Sequence, residues 1–190
     1  MSEAPPVASP TGFWTEVRPV HHGHDPMMAR WLYQYLANKP AANTYDFGCG
    51  MGLWLRDLSQ QGLSRLFGFE GEPPACGVFP GVIKQDLTEK FDVPEPGNVI
   101  CLEVCEHVPV EFETQLLNNI TRACKEHLVL SWAVPKMGGV GHVNCQENDY
   151  VIRKLAERGF GFLPEETKMG RQSVCWLDWY LDTLMVFKRS

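Results

Sequence analysis

The stretch Tyr45-Asp46-Phe47-Gly48-Cys49-Gly50-Met51-Gly52 decides the fold. An acidic residue near the end of a short apolar strand candidate, Thr44 to Phe47, is followed by glycine at every second position. A helix pattern then runs from about Met51 to Gln61 and stops at Gly62. Glycine lets the backbone turn sharply and approach a ligand with no Cβ in the way. In an open parallel sheet such a turn lies at the carboxyl edge of the strands, where ligands bind.

The same alternation continues on both sides. Upstream, Asp25 to Ala37 has the spacing of an amphipathic helix, with Met28, Trp31, Leu32, Tyr35 and Leu36 on one side and Asp25-Pro26 as cap and first turn. Downstream, Arg65 to Glu70 reads as a second strand closed by Gly71, and Gly81 to Lys84 as a weaker third. Asn98 to Val104 is a near-continuous apolar run, as expected of a parallel strand buried on both faces. A helix over Val110 to Cys124, a fifth strand over His127 to Trp132, a Gly-rich loop over 134–145 and a helix from Asn148 to Arg158 follow. The chain closes with a strand at Thr183 to Lys188, after aromatic residues from Trp176 to Tyr180. Strands alternating with helices imply βαβ units and an α/β sandwich of three layers. The expected organisation is a flexible tail over 1–12, rich in Pro, Ala and Ser, and one domain over 13–190.

Composition narrows the function. The 190 residues carry a formal net charge of −6 and no Lys/Arg cluster, which argues against nucleic acid as a partner, since phosphate contact needs concentrated positive charge. A small or neutral substrate fits better. No apolar run approaches the roughly 20 residues of a membrane span, so no membrane partner is expected. The seven cysteines form no CxxC pair, and an odd count without a signal-peptide pattern points to a reducing, cytoplasmic compartment.

Two cofactor readings compete at the glycine loop. A dinucleotide fingerprint needs a small last residue in G-x-G-x-x-G/A, and Leu53 stands there. The pattern D-x-G-x-G-x-G instead resembles the first motif of class I methyltransferases that use S-adenosylmethionine. The resemblance implies that Asp46 serves the ammonium side of the cofactor, directly or through water, while Gly48, Cys49, Gly50 and Gly52 line its path. It places Glu70, with Gly71 after it, at the ribose hydroxyls, and Asp86-Leu87 at the adenine. Leu102-Glu103-Val104-Cys105-Glu106-His107 resembles the Leu-Glu-x-x-Glu-His segment of many small methyltransferases, with Glu103 either touching the ligand or holding its loop. The specific motifs cover about Tyr45 to Trp132. The family's fold is a Rossmann-like three-layer αβα sandwich, its mostly parallel seven-stranded sheet ending in a reversed strand, here Leu184 to Phe187. Without the resemblance, Glu70 reads as a solvated strand end and Asp86 as a turn cap.

Methyl transfer to an alcohol needs a positioned base, and His is the commonest choice near neutral pH. His142, in the Gly-rich loop, and His107, after the fourth strand, are the candidates, with His142 preferred. No metal ligand set is expected. Ser131-Trp132 stands where metal-dependent catechol-type enzymes of similar fold carry Asp-Asn, and His21, His22 and His24 match no structural zinc spacing. The chain also lacks the Asn/Asp-Pro-Pro-aromatic segment of amino-directed nucleic-acid enzymes and the Pro-Cys of cytosine-C5 enzymes. The region from His127 onward is similar to small methyltransferases found beside glycan and metabolite pathways, including those of large algal viruses. O-methylation of a sugar hydroxyl or another small polar acceptor is therefore the leading expectation. N-methylation of a protein or small amine, and a non-catalytic cofactor-binding partner subunit, are the alternatives. With few residues outside the core fold, the site is either open, to a glycan end for example, or closed by a second copy in a homodimer.

Overall fold

A computed structural model of the chain describes residues 6–15, 22–39 and 43–190. Strands β1 (Val7–Ala8) and β2 (Trp14–Thr15) form a small antiparallel hairpin. The main sheet is built from β3 (Thr44–Phe47), β4 (Leu66–Glu70), β5 (Val82–Lys84), β6 (Gly97–Cys101), β7 (Cys124–Ser131), β8 (Phe160–Phe162) and β9 (Leu184–Arg189). Its order is β5-β4-β3-β6-β7-β9-β8. The first five strands are parallel to one another, and β9 runs antiparallel to both β7 and β8. The strand order reverses between β3 and β6, which opens a crevice at their carboxyl ends.

Side chains alternate across this sheet with a period of two. Val99, Cys101, Leu128, Leu130, Met185 and Phe187 pack on one face against Leu116, Leu117 and Ile120 of α3 (Val110–Ala123) and Val151 and Leu155 of α4 (Asn148–Ala156). Ile100, Val129, Leu184 and Val186 pack on the other, against Met28, Leu32 and Leu36 of α1 (Pro26–Leu36) and Leu55 and Leu58 of α2 (Leu53–Gln60). Two further helices, α5 (Pro164–Ser173) and α6 (Tyr180–Thr183), precede β9. The expected three-layer α/β architecture, with its seven strands and reversed last strand, is the one observed. Among the described residues no helix is long and apolar enough to cross a membrane.

Several boundaries differ from the sequence reading for local reasons. The fourth strand ends at Cys101 rather than Val104, because Glu103 adopts φ 56° and turns the chain out of the sheet. Helix α2 starts at Leu53 because Gly52, at φ 79°, caps it from the left-handed region. Residues 160–173 carry a three-residue strand and a polar helix that the apolar periodicity did not reveal. The expected 1–12 tail is corrected over residues 6–12. There the chain forms β1 and its turn, with the Ser9 amide donating to the Phe13 carbonyl at 2.8 Å.

Asp25 ties the first helix to the far end of the chain. It is fully buried. Its Oδ1 accepts from the Met27 and Met28 amides at 3.0 and 3.1 Å, as an N-cap should, and its Oδ2 accepts from the Cys175 and Trp176 amides at 2.6 and 2.7 Å. Burial alone would raise its pKa, but these N–H donors outweigh it and hold the carboxyl below its ordinary value. A depressed pKa adds stability above the unfolded value that is lost as pH falls through the folded one. Asp25→Ala is expected to lower unfolding stability by roughly 2–3 kcal/mol at neutral pH in urea titrations. The difference from wild type should shrink below about pH 4. A pH-independent difference would contradict the charged cap.

Candidate active site

The chain leaves β3 at Phe47 and enters a turn in the left-handed region at Gly48, φ 77°. A Cβ at Gly48 would collide with the side chain of Val104, in the segment that leaves β6. The loops after β3 and β6 therefore meet across the crevice with no spare atom between them. Beneath the turn, Asp46 is 1% exposed and its Oδ2 has no hydrogen-bond partner in the protein. Burial, and then the negative charge of Glu70, push its pKa up to about 8. The carboxyl is thus mostly protonated at neutral pH, and a cation arriving beside it would reverse that.

Above the turn lies a cavity of about 880 Å³, within the size range of small-molecule sites. Of the residues expected at the ligand, Gly48, Cys49, Gly50, Glu70, Gly71, Asp86, Leu87 and Glu103 line it, and so do both candidate bases, His107 and His142. Asp46 sits behind the wall, and Gly52 turns away toward Phe79. Burial raises the Cys49 thiol well out of the reactive range, so it acts as a small apolar wall residue.

Glu70 is more than a solvated strand end. Its Oε2 accepts from the Gly50 amide and its Oε1 from the Gly71 amide, both at 2.8 Å, which fixes the glycine loop to the end of β4. Each carboxylate oxygen keeps a further lone pair for a ligand hydroxyl. Burial raises its pKa, and these amides oppose the rise. Asp86 does cap its own turn. Its Oδ1 accepts from the Thr88 amide and hydroxyl at 2.8 and 2.7 Å.

Its Oδ2 accepts from Thr11 Oγ1 at 2.7 Å, a partner the sequence reading missed. Thr11 belongs to the β1–β2 hairpin, which lies over the cavity and contributes Pro6, Thr11, Gly12, Phe13 and Trp14 to its lining. Phe13 packs so closely on Gly71 that a Cβ there would strike its ring. The aromatic pair Phe13-Trp14 in an otherwise polar, Pro-rich segment was the available signal. Trp179 and the core residue Tyr180 also line the cavity, whereas Trp176 is exposed. Of the three N-terminal histidines, His22 lines the cavity, His24 pairs with Asp57 at 3.1 Å, and His21 falls outside the described residues.

The far end of the cavity holds the acid–imidazole groups. Glu103 lines the cavity and is fastened to a neighbouring strand. Its amide donates to Ser131 Oγ, and Ser131 Oγ donates to its Oε1, each at 2.7 Å. Burial lifts its pKa to about 7, against the pull of the Ser131 and Thr183 hydroxyls. His107 stands edge-on to Trp14 and to His142, with ring centroids 5.0 and 4.9 Å away. Burial, then repulsion by His142, lowers the His107 pKa to about 4, and burial also lowers that of His142. Both imidazoles are therefore neutral near pH 7 and can accept a proton. Glu106, absent from the expected site, is fully buried beside them, and no side chain donates to either carboxylate oxygen.

Neither a protein-family model nor a curated protein sequence matches this chain. Solved structures do. The sugar N-methyltransferase KedS8 from Streptoalloteichus sp ATCC 53650 is similar over 100% of this chain and 98% of its own, at TM-score 0.68 and 16% identity. Magnesium protoporphyrin IX methyltransferase from Synechocystis PCC 6803 is similar over 87% and 83%, at TM-score 0.62 and 19% identity. CalS10, an amino pentose methyltransferase from Micromonospora echinaspora, is similar over 88% and 93%, at TM-score 0.64 and 16% identity.

The fold is that of the Rossmann-like methyltransferases. In this methyltransferase fold the glycine loop, Glu70 and Asp86 occupy the carboxyl edge of the first three parallel strands of the sheet, and Glu103 to His107 that of the fourth. Ser131, at the end of β7, supports Glu103 rather than a ligand. Ser131→Ala leaves a buried amide and a buried carboxyl each without that partner. Urea unfolding should show a loss of about 2–3 kcal/mol. A loss within error of zero would mean that Glu103 is not held this way.

Proposed function

We propose that the chain binds S-adenosylmethionine in the 880 Å³ cavity and transfers its methyl group to a hydroxyl of a sugar, glycan or other small polar acceptor. The carrying observation is that one cavity gathers the glycine loop, Glu70 and Asp86 at one end and the neutral imidazoles of His107 and His142 at the other. The residues present fit this cofactor. The unpartnered Asp46 Oδ2 lies behind the glycine loop, where an ammonium or its water would satisfy it. Glu70 retains acceptor capacity for ribose hydroxyls, and Leu87 supplies an apolar wall for a base. The Synechocystis structures, similar in fold, hold S-adenosylmethionine or S-adenosylhomocysteine.

When bound, S-adenosylmethionine supplies an electrophilic methyl group on a sulfonium. The protein's part is to hold the acceptor oxygen about 3 Å from that carbon and to take the hydroxyl proton. His142, the less buried imidazole, serves as base, and His107 against Trp14 orients it through their edge-on contact. The β1–β2 hairpin excludes water by lying over the cavity, anchored through Thr11 on Asp86.

A second reading, transfer to the amine of an amino sugar, draws support from the fold likeness to KedS8 and CalS10. The two separate on one variant. With His107→Ala and His142→Ala combined, O-methylation should fall by roughly 10²–10⁴-fold with ligand binding retained. Transfer to a neutral amine, which needs no strong base, should persist.

The cofactor claim is tested by calorimetric titration of wild type and Asp46→Ala with S-adenosylmethionine, S-adenosylhomocysteine and NAD. Binding of the two sulfur ligands, weakened in the variant, is expected. Binding of NAD alone would overturn the reading. The raised Asp46 pKa adds a signature. Its carboxyl is mostly protonated at pH 7 when free and ionised beside a bound ammonium, so binding should release protons. Affinity should rise from pH 6 toward pH 8 and flatten above about pH 8. Titrations in buffers of different ionisation enthalpy measure the release, and none would show that Asp46 does not meet the ammonium.

A further inference from the structure

Glu106 stands out among the described residues. It is fully buried, no side chain donates to either carboxylate oxygen, and only the backbone amides of Glu106 and Ala133 lie toward them, without normal hydrogen-bond geometry. An ionised carboxylate in that position is costly unless a positive charge lies against it. Among the described residues no lysine or arginine lines the cavity or pairs with Glu106. Two imidazoles approach it instead. One ligating atom from each of Glu106, His107 and His142 lies within 4.8 Å of the other two.

The surroundings hold this trio together. The Glu106 carbonyl accepts from the Val143 and Asn144 amides, both at 2.9 Å, so the loop carrying His142 is fastened to the residue its ring approaches. Cys145 Sγ sits 3.8 Å from His142 Nδ1. His107 Nδ1 is buried next to the Gly141 backbone, without a hydrogen bond of normal geometry. Two imidazole nitrogens and an acidic oxygen, brought within 4.8 Å of one another and with no cation beside them, form a ligand set.

We propose that Glu106, His107 and His142 hold a divalent transition-metal ion of the zinc or manganese type at the acceptor end of the cavity. Imidazole nitrogen favours such ions over magnesium and calcium, which prefer oxygen throughout. Ligands about 2.0–2.2 Å from one ion stand roughly 3–3.5 Å apart, so the trio, within 4.8 Å now, closes by at most about 1.3–1.8 Å on loading. The Gly138-Gly139-Val140-Gly141 run ahead of His142, with three glycines, gives the backbone freedom to accommodate this. Three protein ligands leave coordination positions open, and both histidines face the cavity, so an acceptor hydroxyl completes the shell.

This assignment rests on the methyl-transfer reading for the identity of the acceptor, though the metal site itself stands on the trio's geometry. It changes the role of the imidazoles from base to ligand. A hydroxyl bound to the ion is acidified and gives its proton to solvent. Its oxygen pair then forms the O–C bond, while the pair of the breaking S–C bond stays on sulfur.

The test is calorimetric titration of chelator-treated full-length protein with Zn²⁺, Mn²⁺ and Mg²⁺, using wild type, Glu106→Gln and His142→Ala. S-adenosylhomocysteine binding is measured on each as a check of folding. We expect one equivalent of Zn²⁺ or Mn²⁺ in wild type, Mg²⁺ at least about tenfold weaker, and a loss of at least about tenfold in either variant. No stoichiometric uptake by wild type, or uptake unchanged in both variants, as from ligation at His22 and His24, would overturn the proposal. Binding of the sulfur ligand without metal uptake would leave methyl transfer standing and remove only the metal. Metal uptake without sulfur-ligand binding would do the reverse.

Discussion

The contact of Val104 with the backbone at Gly48 is the constraint on which the rest depends. It brings the loops after β3 and β6 into touch across the point where the strand order reverses. Because the first of these loops is clamped to Glu70 and the second to Ser131, four strands share the positioning of one cavity. Any side chain at Gly48 would part the loops and open the floor of the site.

In and behind the cavity wall lie acid groups that burial keeps from ionising fully. Asp46 and Glu103 are raised to about 8 and about 7, and Glu70 and Glu106 are raised as well. Four carboxyls around one space would repel one another if all were charged. A ligand with a positive centre therefore meets groups that can release a proton to solvent and ionise against it, at either end. The sulfonium and ammonium of the proposed cofactor suit the Asp46 end, and a divalent cation suits the Glu106 end.

Much of this was legible in the sequence because it is local. The Gly48 to Gly52 spacing, the acidic strand ends at Glu70 and Asp86, and the apolar run over the fourth strand each carry their meaning within a few residues. Asp25-Pro26 likewise announced its helix. What stayed hidden depends on distant partners. Nothing near Thr11 says that it will meet Asp86, 75 residues away. Nothing near Glu106 says that the 134–145 loop folds back onto its carbonyl and brings His142 beside it. The hairpin over residues 7–15 and the strand at 160–162 are too short for periodicity to show, and each is stabilised by what it covers.

The most direct test of the account is a crystal structure with S-adenosylhomocysteine bound. The account predicts ribose hydroxyls on Glu70, the adenine beside Leu87, the ammonium toward Asp46, and the open side of the sulfur facing Glu106, His107 and His142. A ligand whose sulfur points away from that trio, or that binds outside this cavity, would contradict it.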